Sequence, residues 1–255
     1  MTIAGIDPLL ERAHESLLTL ADGRLGTRGS VVIEHRSGAP AVLVSGVYAR
    51  RGAETHLLKA PRWNAITLER GSPVQVHRVL DLHTGTLHQQ IASAEGRLEA
   101  LLLSSLVRPA TAVLRARDRS LGMRVVRPLK PPPRAACEQA ETDGGAWMRV
   151  SADPGSIVAA ADDHVRGPSS DRVLDRIAGY EAAAHGDADQ RVALERVRCA
   201  RRVGFDRLLC EHRRAWASRW EDADVMIEGD PELQRAVRVA LFTCSRTHRR
   251  AGRRR

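Results

Sequence analysis

Between Val31 and Ala161 short apolar runs recur at intervals of about ten residues, the spacing expected of successive β-strands. They read VVIEHR, AVLVSGVY, AITLER, PVQVHRVLDL, GTLHQQIA, LEALLLSSL, TAVLRAR, GMRVVRPL, AWMRVSA and SIVAAA. Each is rich in β-branched residues, leucine or alanine, and the gaps between them carry turn chemistry such as SGAP, RGAE, HTG and AEGR. Several runs alternate. In one, Val74, Val76 and Arg78 face one way and Gln75, His77 and Val79 the other, so neither face is wholly apolar and part of the sheet surface is expected to be solvated. Strands in series with no helices between them predict a mainly β fold, a large antiparallel sandwich or barrel. The stretch KPPPRAACEQAETDGG, Lys130 to Gly145, reads as a surface loop, because three successive prolines cannot join a central strand.

The period changes after Gly186. From Asp187 to Ala217 there is no proline, and Leu194, Val197, Ala200 and Val203 recur at helical spacing. Gly204 is a candidate break, after which Leu208 and Ala215 continue the stripe, and Trp216 and Trp220 stand four apart on one face. A short extended run, ADVMIEG, precedes a second helix in DPELQRAVRVALF, with Asp230 as its N-cap and Pro231 at its first position. Its stripe of Leu233, Val237 and Leu241 has no partner left in the chain. The division expected is a β-sandwich over residues 1–186, linker helices over 187–222, a further helical segment over 223–242, and an arginine-rich tail over 243–255.

Composition adds one correction to a simple reading. The chain of 255 residues has a net charge of +9, which on its own would suggest nucleic acid as a partner. Six arginines fall in the last ten residues, however, and without them the charge is +3. Of the 40 basic residues only Lys59 and Lys130 are lysines, a skew that fits coding bias better than phosphate recognition. Nucleic-acid binding through the tail is therefore a remote alternative, and a stretch long enough to cross a membrane is lacking. No secretory leader precedes the first apolar run, and the four cysteines show neither a CxxC pair nor the density of a disulfide framework. The sequence reads as cytoplasmic, with no metal site and no cofactor.

The glycines Gly23, Gly26 and Gly29 in ADGRLGTRG raise the question of a phosphate cradle. A dinucleotide fingerprint needs GxGxxG between a strand and a helix, and a P-loop ends in GK[ST]. Here the spacing is GxxGxxG and β-rich sequence follows, so the three are read as structural turn glycines that supply positive φ or close strand approach.

The segments ESLLTLADGRLGTRG, SGVY, RVLDLHTGTLHQQI and SSLVRPATAVLRA, in that order and spacing, resemble the N-terminal domain of glycoside hydrolase family 65. That family includes maltose, trehalose and kojibiose phosphorylases. Its first motif has phenylalanine and asparagine where this chain has Leu18 and Asp22. The later LLCEHRRAWASRWEDADVMIEGDPELQRAVRVALF is similar to the linker helices and first helix of the family's catalytic barrel, whereas TCSRTHRRAGRRR, after Phe242, shares nothing with it. The resemblance implies a galactose mutarotase-like super-sandwich, linker helices and the first helix of an (α/α)6 barrel, in a fragment or frameshifted product ending just inside that barrel. It implies the family's chemistry too: inverting phosphorolysis or hydrolysis of an α-glucosidic bond, with disaccharide and inorganic phosphate as the partners of a full-length relative. The catalytic positions lie beyond Phe242 in the family, so none carries over. For this chain alone the expectations are carbohydrate association or a homodimer, the latter driven by the exposed stripe of the last helix.

Candidate chemistry is sparse. Sugars bind against aromatic faces flanked by polar groups, and Trp63, between Arg62 and Asn64, is the candidate carbohydrate platform. Trp147 is expected in the core, and Trp216 and Trp220 at a domain junction. Asp162, Asp163 and His164 are read as a solvated turn, and Glu221, Asp222 and Asp224 as a junction segment. Glu211 and His212, adjacent on a helix, point about 100° apart and make no shared site.

Overall fold

The computed structural model describes residues 1–69, 75–124, 127–142 and 145–247. Val74 and most of the arginine-rich tail, residues 248–255, lie outside the described residues. The chain opens with β1 (Thr2–Ala4), α1 (Glu11–Leu17), β2 (Leu20–Ala21) and β3 (Leu25–Thr27). A long hairpin follows, β4 (Val42–Arg51) and β5 (Glu54–Ala60), then the short β6 (Thr67–Leu68). Next come β7 (Gln75–Asp81), β8 (Thr86–Ala92), β9 (Arg97–Ser104), β10 (Thr111–Arg119) and β11 (Met123–Arg124). The strands end with β12 (Cys137–Thr142), β13 (Gly145–Ser151), β14 (Ser156–Arg166) and β15 (Arg172–Ala183), before α2 (Gln190–Val203), α3 (Phe205–Ala223) and α4 (Pro231–Thr247).

Among the described residues one sheet holds nine antiparallel strands in the order β1-β7-β8-β9-β10-β15-β14-β13-β12. The facing layer is the four-stranded β2-β3-β4-β5 sheet, with the β6–β11 ribbon beside it. Period-two alternation builds the core. Val76, Leu80, Ile91, Leu102 and Leu114 of the large sheet join Leu18, Leu25, Val42 and Val44 of the other layer in one contiguous buried cluster. The fold is the mainly β sandwich expected.

The outer face of the large sheet is partly covered. Helix α2 buries Ala193, Leu194, Val197 and Ala200, and they join Trp147, Val158, Ala160 and Ile177 of the sheet in a second cluster. Asp189 caps this helix by accepting from the Arg191 amide. Gly204, at φ +82°, separates it from α3.

Several segments differ from the sequence reading. VVIEHR forms only an isolated bridge from Ile33 to Ile66; its apolar residues are buried without joining a ladder. In the stretch read as loop, Cys137–Thr142 forms an edge strand, which an exposed, polar sequence can do because only one side needs pairing. Strand β15 escaped notice because Asp175 and Arg176 interrupt its apolar run, and each is ion-paired instead. Asp162, Asp163 and His164 belong to β14, not to a turn.

Helix α4 begins as expected: the Asp230 carboxylate accepts from the Glu232 and Leu233 amides. It departs in two ways. It runs past Phe242 to Thr247, into residues read as tail. Phe242, beside the expected stripe, is also buried against Trp216, with ring centroids 4.8 Å apart and planes inclined by 19°, while Leu233 of the stripe itself stays exposed. Arg246 donates to the Thr19 carbonyl and Arg219 to that of Ser245, tying both ends of the contact down.

The three opening glycines turn out unalike. Gly23, at φ +86°, makes the turn between β2 and β3. At Gly29 a β-carbon would lie 2.3 Å from Leu18 Cβ and 2.5 Å from the Leu18 carbonyl oxygen, so only glycine lets the chain pass α1's end. Gly26 is not a turn residue: it sits inside β3 with open space where a side chain would go. Gly29→Ala should therefore cost about 3 kcal/mol through forced backbone movement, while Gly26→Ala should stay within about 0.5 kcal/mol. Urea midpoints of the two variants against the parent measure the difference.

Candidate functional site

The most concentrated chemistry is buried. Arg78 points inward from β7, where alternation places it between Val76 and Leu80, and is fully buried. It donates a fork of two 2.7 Å bonds to the carboxylate of Glu11, also fully buried, on α1. One turn on, Glu15 accepts the Ala39 amide at 2.9 and 3.1 Å and has Arg28 at 3.5 Å. His35 approaches from the β3–β4 connection, with Nε2 3.7 Å from Glu11 Oε1, and neither of its buried ring nitrogens has a hydrogen-bond partner among the described residues. Gln89, opposite Arg78 on β8, spans the layers by accepting from the Val32 amide and donating to the Ser30 carbonyl.

Glu11, Glu15 and His35 bring one donor atom each within 4.8 Å of one another, the spacing a metal site would need. Charge balance favours another reading. The two carboxylates already face two guanidiniums, so a divalent cation would add buried charge without compensation, at several kcal/mol. The cluster is an ion-pair network that fastens α1 and the glycine segment to the large sheet.

Beside it lie two adjoining cavities of about 370 and 430 Å³, sharing Glu34, Gly38, Pro40 and Arg62. The expected carbohydrate platform does not line them. Trp63 is wholly buried, its indole N–H donating to Thr27 Oγ1 at 2.9 Å, so neither ring face can meet a sugar. Asn64 is buried and accepts from Arg62 Nε, while Arg62 Nη2 donates to the Val31 carbonyl. Burial lowers the Arg62 pKa from its ordinary value. The aromatic packs, and its polar neighbours brace the loop.

The acidic clusters divide as strand geometry requires. Asp162 and Asp163 point to opposite faces, one 3.3 Å from Arg201 of α2 and the other held by Arg176. Arg176, buried, also donates to the carbonyls of Trp63 and Ala65. Glu211 pairs with Arg108, at 3.2 Å, while His212 turns into the protein.

Helix α3 docks on the β7–β8 turn through three side chains at i, i+4 and i+8. His212, 1% exposed, accepts from the Leu106 amide through Nδ1 and meets the Gly85 carbonyl with Nε2 at 3.2 Å. That pattern assigns the proton to Nε2. Desolvation is the main cause holding its pKa down at about 4, since a buried imidazolium would be uncompensated. Trp216 lies over Gly85, where a β-carbon would sit 1.9 Å from Nε1. Trp220 donates from Nε1 to the Leu82 carbonyl at 3.0 Å. The two tryptophans expected at a domain junction thus seat α3 on the sheet. Beside Trp220 opens the largest cavity described, about 910 Å³, bounded by the β7–β8 turn, the end of α3 and Arg238 of α4. No helix of the described residues is long and apolar enough to cross a membrane.

Sequence reasoning missed Glu11, Arg78, Gln89 and His35. A signal for the first existed, since Glu11 and Glu15 stand four apart in ERAHESL, and for the second too, since Arg78 takes an inward position in an alternating strand.

With this geometry established, comparison with known proteins adds the following. Residues 1–123 match the family described as glycosyl hydrolase family 65, N-terminal domain. No curated protein matches the chain. Among solved structures the chain is similar to a human-microbiome protein provisionally named a kojibiose phosphorylase, with a TM-score of 0.79 at 13% identity. The match covers 96% of this chain and 38% of that one, and at this identity it is a likeness of fold.

Removing one partner of the buried pair should be far worse than removing both. Glu11→Gln is expected to cost about 3–5 kcal/mol by leaving Arg78 uncompensated, and Glu11→Met with Arg78→Met to recover most of it; equilibrium unfolding of both variants checks this. For His212, the depressed folded-state pKa means that stability is complete above about pH 6.5 and is lost as the pH falls toward 4, because only the unfolded chain readily takes the proton. The loss should be on the order of 3 kcal/mol. A His212→Gln variant should show a flatter profile across the same window in thermal melts.

Proposed function

We propose, because residues 1–123 match the glycosyl hydrolase family 65 N-terminal domain, that this chain is the non-catalytic front module of a disaccharide phosphorylase or hydrolase of that family. The observation that carries the reading is the family match over 1–123, joined to a fold likeness that runs on through 96% of the chain. The chain spans 38% of the phosphorylase-named neighbour's length, and the chemistry belongs to the larger protein in this reading.

The side chains support it. Glycoside cleavage needs one carboxylic acid to protonate the leaving oxygen and another carboxylate to activate water, or phosphate to attack in its place. Of the acids best shielded from water here, Glu11, Glu15 and Asp175 are engaged by arginine, and Asp22 and Asp118 accept backbone amides. Carboxylates committed in this way are poorly placed to protonate a glycosidic oxygen, Asp22 included, whose pKa burial raises but whose two oxygens are taken up by backbone amides. Association with carbohydrate and a reducing, cytoplasmic setting complete the reading; the four cysteines form no disulfide, which fits that setting.

Incubating the purified polypeptide with kojibiose, maltose or trehalose, with and without inorganic phosphate, tests it directly. Neither sugar phosphate nor free glucose should appear above the enzyme-free rate, and turnover by this chain would overturn the assignment.

A further inference from the structure

Trp63 is sealed in the core, yet another tryptophan borders open space. The 910 Å³ cavity beside α3 is lined on one side by Met1, Val79, Asp81, Leu82 and His83, and on the other by Ala217, Trp220, Glu221, Asp224 and Arg238. Trp220 is only partly buried, and its indole is immobilised from two directions, by the 3.0 Å bond to the Leu82 carbonyl and by Trp216, whose ring centre lies 6.4 Å away. A fixed indole at the wall of a cleft presents apolar surface at little entropic cost.

The polar groups around it carry both signs and both hydrogen-bonding roles. Arg238 forks onto Asp224 at 2.8 and 3.2 Å, which leaves further N–H groups and lone pairs at the rim. Glu221 is exposed, and its carboxylate has no partner among the described residues. His83 is exposed on the turn, and Asp81 is held in place by Thr84 and the His83 amide. Three carboxylates stand against one guanidinium, but Asp224 is paired with Arg238 and Asp81 is bonded by Thr84 and the His83 amide, so Glu221 alone is left to attract a cation. Alternating donors and acceptors beside an apolar platform suit a neutral, polyhydroxylated ring, whose C–H face packs on the indole while its hydroxyls take up the carboxylates and guanidinium.

We infer that the cleft between the β7–β8 turn and the α3–α4 corner is a saccharide-binding site, with Trp220 as platform and Glu221, His83 and Arg238 as hydroxyl-binding groups. Its volume exceeds what one pyranose fills, so a disaccharide fits the space better than a monosaccharide. The site rests on the carbohydrate association proposed above. It would hold a sugar chain against the front module without cleaving it.

Titration of the full chain with maltose, kojibiose and glucose, followed by intrinsic tryptophan fluorescence and by calorimetry, tests the inference. Saturable binding in the millimolar range is expected, tighter for the disaccharides than for glucose. Glu221→Ala and His83→Ala, both exposed and so neutral to folding, should each weaken it several-fold, and Trp220→Ala by about tenfold or more. Circular dichroism melts accompany each variant; if Trp220→Ala fails to fold, the two surface variants decide alone. Absence of saturable binding with all three sugars, or binding that Glu221→Ala and His83→Ala leave unchanged, would overturn the site. Either result leaves the turnover assay untouched, so failure here and failure of the front-module reading are told apart.

Discussion

The fully buried ion pair between Glu11 and Arg78 is the constraint around which the front of this protein is organised. A guanidinium at an inward position of a central strand costs several kcal/mol unless a carboxylate meets it in good geometry. The short helix α1 delivers that carboxylate, and the same helix offers Glu15 to the Ala39 amide and Arg28. Because Gly29 must pass within van der Waals contact of Leu18 just beyond α1, the helix, the glycine segment and the large sheet can settle only together. Gln89 repeats the device one strand over, satisfying two backbone groups of the intervening chain. A hydrophobic core would hold these layers together in many registers; the polar struts select one.

A second, apolar anchor fixes the other end of the sandwich. The β7–β8 turn receives His212, Trp216 and Trp220 from α3, and Phe242 of α4 stacks on Trp216. The helices therefore extend the core of the sandwich, and Trp216 and Phe242 belong to the same buried cluster as the strand residues. This docking also shapes the cleft beside Trp220. Three sides of it come from elements far apart in the chain, β7, α3 and α4.

Much of the architecture was legible. Strands β7 to β10, β13 and β14 announce themselves by alternation between turn signals, the helix break at Gly204 by its glycine, and the start of α4 by Asp230 followed by Pro231. Where the reading failed, a residue's partner lay far away in sequence. Asp175 and Arg176 made β15 look too polar for a strand until their mates Arg115 and Asp163 are seen across the sheet. VVIEHR looked like a strand because buried loops and buried strands need the same apolar residues. Trp63 looked like a sugar platform because an aromatic between two polar residues reads alike whether those neighbours face solvent or, as here, brace a loop over it.

By itself the sequence determined the class of the protein: periodicity of two over most of its length, then of 3.6, in an order that an antiparallel sandwich or barrel followed by helices satisfies. Local steric and hydrogen-bonding rules act between near neighbours, and near neighbours are all that such a pattern contains. The tertiary structure decided which polar residues would be structural and which would stay open to a ligand. It buried Glu11, Arg78 and Trp63 and left Trp220 and Glu221 at the wall of a cleft. Burial and charge compensation are properties of contacts between distant segments, and those exist only once the layers have closed.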